Sequence, residues 1–127
     1  MSLHNFGIPG YEMQNGARID INLAYAVYGE LNQARDNCIL VTTSYSATHE
    51  DALALFAGSD LLDLSDFCVV VVNMVSNSAS SSPSNTPPPY DGPRFPLVTV
   101  HDNVRCQHQL LTEHLGVTDL SLVMGYS

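Results

Sequence analysis

The chain has 127 residues, 45% of them hydrophobic, which suffices for one domain with a buried core. Thirteen acidic residues against four basic ones give a formal net charge of -9, so polyanions are repelled and neither nucleic acid nor an anionic membrane is an expected partner. All four basic residues are arginine; without lysine the chain builds neither a Schiff-base amine nor a P-loop Gly-Lys-Ser/Thr.

The start, Met1-Ser2-Leu3-His4-Asn5, lacks the basic and then apolar signature of a secretory leader, and no apolar run approaches the roughly 18 residues that span a bilayer. A soluble cytoplasmic protein is expected. Cys38, Cys68 and Cys106 are odd in number, widely spaced and without a C-x-x-C or Cys/His ligand spacing. They read as buried, reduced thiols, and no disulfide or metal site is expected.

Residues Met1 to Gly10 carry little pattern and read as an irregular lead-in. Tyr11-Glu12-Met13 and the alternating run Ile19 to Tyr28 flank Asn15-Gly16, a strong hairpin signal, and are expected to form an antiparallel pair at a sheet edge. After a polar, turn-like stretch from Gly29 to Asn37, Cys38 to Thr42 is continuously apolar, as strands in the middle of a parallel sheet are. A loop of small hydroxyl residues, Thr43 to Ala47, follows. Thr48-His49-Glu50-Asp51 then has capping-box spacing and opens a short helix through Ala57, closed by Gly58.

Phe67 to Asn73 is a β-branched run without polar alternation, a strand expected to be covered on both faces. Ser76 to Pro93 is too rich in serine and proline to pack as helix or strand. It is a long loop, and its place after a strand's carboxyl end favours a loop over a site rather than a linker. Thr99 to Asp102 is a second capping box, opening a helix to about Leu115 with Gly116 past its end; Val100, Val104, Cys106, Gln107, Leu110, Leu111 and Leu115 trace its inward stripe. Leu120 to Met124 reads as a buried strand, and Gly125-Tyr126-Ser127 as a sharp turn after it. The fold class is α/β, with an edge hairpin followed by parallel strands and crossover helices, and no second domain.

Four stretches carry a family resemblance: Ala24 to Asn32, Phe95 to Arg105, Leu110 to Val117, and Val123-Met124-Gly125-Tyr126-Ser127. From about Ile21 to Ser127 the chain resembles the amino-terminal half of an α/β-hydrolase, specifically the homoserine O-acetyltransferase-like family. The resemblance implies that Ser127 is the nucleophile, on the strand-to-helix turn that in this fold has the form G-x-S-x-G. It also implies that the loop after the Cys38 strand supplies one backbone N–H of an oxyanion hole, falling on Tyr45, with Ser46 as its substrate-facing neighbour. The implied chemistry is acyl transfer from a small-molecule ester or thioester through an acyl-Ser.

Triad order in this fold is Ser, Asp/Glu, His, so the resemblance implies that acid and His come from a second chain or segment that completes the domain of residues 1–127. No cofactor is implied, and acyl-CoA enters only as the donor if the reaction is a transfer. Acetyltransferases of the family carry Leu-Thr-Gly-Asp where this chain has Tyr45-Ser46-Ala47-Thr48, Gly-Gly-Ser where it has Gly125-Tyr126-Ser127, and a glycine-rich segment where it has Ser76 to Ser82. Ester hydrolysis, or transfer to another alcohol, therefore stands beside acetyl transfer to homoserine.

Tyr126 either lines the pocket or covers a helix. The histidines read as surface or capping residues, with His49, beside the presumed oxyanion loop, in a position worth testing. Asp102 reads as a cap. A non-catalytic binding module, with Gly125-Tyr126-Ser127 as an anion-binding turn, and an inactive hydrolase-like scaffold are the competing functions.

Overall fold

The computed structural model describes residues 2–56 and 65–127. Five strands form one mixed sheet in the order β1-β2-β4-β3-β5: β1 (Ser2–Glu12), β2 (Arg18–Tyr28), β3 (Cys38–Thr42), β4 (Cys68–Val72) and β5 (Leu120–Met124). The hairpin β1-β2 is antiparallel and joins β4 antiparallel through Tyr25 to Tyr28, while β4, β3 and β5 run parallel. Between them lie α1 (His49–Phe56) and α2 (Val100–Gln109). The end expected for α1, at Ala57 and Gly58, falls outside the described residues.

Side-chain alternation builds two cores, one on each face of the sheet. Cys38 and Leu40 of β3 and Cys68, Val70 and Val72 of β4 point to the α2 side, where Cys106, Leu110 and Leu111 meet them. Ile39, Val41, Val69 and Val71 point the other way, onto Ala52 of α1. All five residues of β4 are buried, as expected of an apolar strand covered on both faces. The three cysteines are free and buried. Burial pushes the Cys38 and Cys106 thiols up to about 12, so neither is a thiolate nucleophile at neutral pH.

The start of the chain corrects the sequence reading: residues from Ser2 onward are not an irregular lead-in but the strand β1. Gly7, Pro9 and Gly10 hide it, because Pro and Gly weaken a strand signal although an edge strand tolerates both. Pro9 and Gly10 together oppose Asp20 in a bulge, with Gly10 at φ +60 and its N–H donating to Asp20 Oδ1 at 2.8 Å. Phe6, stacked on His114 with ring centroids 5.0 Å apart, ties the strand to the far end of the α2 segment.

Three further expectations change. The helix begins at the predicted capping box, but after Gln109 it widens into a π-helical turn, Leu110–His114, before Gly116 at φ +64. Val100 and Val104 do not face the core: they are 81% and 55% exposed, and the inward stripe is carried by Asp102, Cys106, Gln107, Leu110 and Leu111. The apolar strand β5 is not buried either. It lies at the sheet edge, paired on one side with β3, and Leu120, Leu122 and Val123 stay exposed.

The segment from Ser76 to Pro93 forms neither strand nor long helix, apart from a single 3-10 turn at Gly92–Arg94. It is nonetheless packed. β2 pairs with β4 only from Tyr25 onward, leaving the backbone groups of Asn22 and Ala24 without a strand on that side. Ser80 and Ser81 fill the place: Ala24 N–H donates to Ser80 Oγ at 2.9 Å, Asn22 N–H to Ser81 Oγ at 2.7 Å, and Ser81 N–H to Asn22 O at 2.9 Å. Hydroxyls and one amide act here as a short surrogate strand.

Candidate active site

The carboxyl ends of β3 and β4 and the turn after β5 come together at one end of the sheet. Between the loop after β3 and the serine-rich loop lies a cleft of about 610 Å3. Ser44, Tyr45, Ser46 and Thr48 line one wall, and Ser76, Asn77 and Ser78 the other. None of the four arginines lies there. Arg18 pairs with Glu12, Arg94 with Asp91, Arg35 donates to Leu115 O, and Arg105 sits over the Tyr11 ring. The walls offer hydroxyls and amides and no cation.

Ser127 follows β5 through Gly125 and Tyr126 and takes φ +58, a region costly for a residue with a Cβ. The close approach of β5 to β3 sets this turn. A Cβ on Gly125 would stand 2.5 Å from Thr42 Oγ1, so any side chain there forces Thr42 to shift. The Tyr45 N–H donates to the main-chain oxygen of Ser127 at 3.3 Å. The structure thus brings the main chains of Tyr45 and Ser127 together. The side chains of Tyr45 and Tyr126 are 83% and 61% exposed and Ser46, at φ +55, is exposed as well. Among the described residues no hydrogen bond joins an imidazole to the Ser127 hydroxyl.

The loop that carries Tyr45 is pinned at intervals by the end of β4. Thr43 Oγ1 accepts from Met74 N–H at 3.2 Å, and Ala47 O accepts from Asn77 Nδ2 at 3.3 Å. His49 N–H donates to Asn73 Oδ1 at 2.9 Å, and His49 Nδ1 lies 3.0 Å from Asn73 Nδ2. His49 is therefore neither a surface nor merely a capping residue: it is buried against Asn73. At the start of α1, the Asp51 carboxylate accepts from Thr48 N–H at 2.8 Å, the backward half of the expected capping box. His101 and His108 are exposed, as read from the sequence.

Asp102 is the cap that its spacing predicts, with both halves of the box formed to Thr99. It is also buried, and its Oδ1 accepts from Tyr11 Oη at 3.0 Å and Gln14 N–H at 2.9 Å. Burial raises its carboxyl, but hydrogen bonds from the Thr99 and Gln14 amides and the Tyr11 and Thr99 hydroxyls outweigh burial and hold it below the ordinary range. Asp102 thus anchors the hairpin turn to α2, a structural role.

The sequence reading did not single out Thr42, Asn73 or Asn77. Asn73 did leave a signal: an amide set directly after four valines needs a polar partner at the strand's end. The described residues contain no group of three His, Cys, Asp or Glu placed to hold a metal ion. No helix among them is long and apolar enough to cross a membrane.

No family model matches the chain. It is 45% identical over 106 residues to an ethyl acetate hydrolase of Pseudomonas veronii, covering 83% of this chain and 30% of that protein. With a homoserine O-acetyltransferase of Chlorobium chlorochromatii it shares 32% over 115 residues, 85% of this chain and 32% of the other. The solved structure of the acetyl esterase MekB superposes with a TM-score of 0.89 at 39% identity, over 98% of this chain and 37% of that one. The chain spans about a third of the length of the curated relatives it matches. Sequence likeness and structural superposition agree, and the chain belongs to the α/β-hydrolase family of esterases and homoserine O-acyltransferases, whose amino-terminal part it matches.

Proposed function

We propose that this chain supplies the nucleophile side of a serine acyl-transfer site and that its reaction is hydrolysis of a small neutral ester. The observation that carries the reading is the meeting of Tyr45 N–H with the Ser127 turn at the carboxyl ends of the parallel strands. Ser127 Oγ attacks the ester carbonyl as its proton passes to a base. The tetrahedral intermediate expels the alkoxide, which takes that proton, and water then releases the acid from the acyl-Ser. In this cycle the Tyr45 N–H, which here meets the Ser127 main chain, donates to the carbonyl oxygen, where the loss of one such donor costs about 3 to 4 kcal/mol of transition-state stabilisation. Ser46 and Tyr126 border the substrate.

The base and its acid come from a further segment or a second chain that completes the domain and covers the exposed edge of β5. Hydrolysis is preferred to acyl-CoA-dependent transfer because the Pseudomonas veronii relative, 45% identical to this chain, is named for a small neutral ester. The three buried, free cysteines fit a reducing, cytoplasmic setting.

A fluorophosphonate probe with intact-mass and peptide readout tests the reading. The expected result is one adduct, on Ser127, and a loss of p-nitrophenyl acetate turnover of about 10⁴-fold or more in Ser127→Ala. Unchanged turnover in that variant would refute the assignment, and turnover of neither esters nor acyl-CoA by labelled-competent protein would favour a scaffold.

A further inference from the structure

The amide of Asn73 is enclosed at the end of β4 and satisfied on all sides. Its Oδ1 accepts from His49 N–H and from Asn77 Nδ2, each at 2.9 Å. Its Nδ2 donates to Ala24 O at 3.1 Å and lies 3.0 Å from His49 Nδ1. The orientation of the amide is not free: a backbone N–H can only donate and a backbone carbonyl can only accept, so Oδ1 faces His49 and Nδ2 faces Ala24. His49 Nδ1 must then accept, which places the ring proton on Nε2. One side chain fixes the entry to α1, the tautomer of a buried imidazole and a carbonyl midway along β2.

Asn77 extends the same device, since it donates both to Asn73 Oδ1 and to Ala47 O. With Met74 N–H held by Thr43 Oγ1, the loop bearing Tyr45 is fastened at Thr43, Ala47 and His49, all of them to β4's end. Tyr45 itself is exposed and has no side-chain hydrogen bond among the described residues; its N–H donates to Ser127 O, and the loop that carries it is held through these neighbours. Ser46 beside it and Ser76 and Ser78 opposite sit at φ +55, +81 and +75, strained conformations that persist only where surroundings over-determine them.

We infer that Asn73, assisted by Asn77, is a positioning residue for the oxyanion donor: Asn73 acts through His49, and Asn77 through Ala47, to aim the Tyr45 N–H, and Asn73, fully buried, does not line the cleft. This rests on Ser127 being the nucleophile. The consequence is kinetic. A loosened donor weakens the transition state more than the ground state, so kcat falls while KM holds.

The test uses the active enzyme, with Asn73→Asp, which keeps shape and acceptors but cannot donate to His49 Nδ1 or Ala24 O, and the half-buried Asn77→Ala. Steady-state turnover of p-nitrophenyl acetate, inhibition by a small alkylboronic acid, and thermal melts are measured together. Expected is a kcat loss of about 10²-fold in Asn73→Asp and about threefold to tenfold in Asn77→Ala, KM within twofold, and boronate affinity falling in step with kcat. Wild-type kcat and boronate affinity in either folded variant, however much its melting temperature drops, would overturn the inference. If Asn73→Asp does not fold, Asn77→Ala decides alone. Failure of the serine reading is seen separately, as absent fluorophosphonate labelling of Ser127 in the unmutated enzyme.

Discussion

At the end of β5 the steric demand falls on one atom. Because Thr42 is β-branched and stiff at χ1, its hydroxyl cannot swing far from a Cβ placed on Gly125. Gly125→Ala is expected to destabilise the protein by about 1 to 3 kcal/mol through overpacking. Thr42→Ala removes the obstructing oxygen and gives up only a long 3.5 Å contact to Met124 O, so it should be nearly neutral alone and restore stability to the double variant. Urea melts of the four combinations check the coupling; equal losses in both alanine-125 backgrounds would refute it. Asp102 also ties distant segments together, through charge. Its carboxyl is lowered in the fold, so its contribution is present above the unfolded value of about 3.9 and is lost as pH falls through the folded one. The stability gap between the native protein and Asp102→Asn should therefore close as urea midpoints are taken from pH 7 down to 3, and a gap that widened would contradict the assignment.

Elements were legible where a single period ran unbroken. The apolar runs of β3 and β4 and the Thr99 to Asp102 box gave their elements to within a residue or two, because burial on both faces and a cap are local demands. β1 was hidden by Pro9 and Gly10, which serve a bulge that only pairing with β2 explains. The π-helical turn left no mark either, since Leu110 and Leu111 satisfy an α-helical stripe equally well. The serine-rich segment reads as a loop by composition, yet Ser80 and Ser81 finish the edge of β2. Ser80→Ala should cost about 1 to 3 kcal/mol, because it leaves a buried Ala24 N–H and the Asn73 carbonyl without their partner. Ser81→Ala should cost less, as its backbone N–H keeps the bond to Asn22 O; chemical denaturation of both variants gives the order.

Across the whole molecule, the order of elements was legible from the hairpin and the alternation of strands and helices, and the family from a resemblance carried by stretches such as Phe95 to Arg105 and Val123 to Ser127. The candidate site was legible only as two segments, the Tyr45 loop and the Ser127 turn. What joins them, Thr42, Asn73 and Asn77, comes from contacts distant in sequence and so has no periodic signature. The same logic governs β5: four apolar residues in five predict burial, and among the described residues the strand pairs on one side only, with β3. An exposed apolar edge pairs with whatever strand it meets. This 127-residue chain alone should self-associate with rising concentration, and Val123→Lys should reduce that; sedimentation velocity distinguishes the two, and a monomeric parent at high concentration would count against the edge as the cause.

Asp102 accepts at once from the hairpin turn, through Gln14, and from the first turn of α2, through Thr99. Lifting either element strands the same anion away from half of its donors, so neither has a cheap way to loosen by itself. Two segments nearly ninety positions apart in the chain thereby share one opening event, and the amino-terminal ribbon, which looks peripheral, is energetically part of the helix layer.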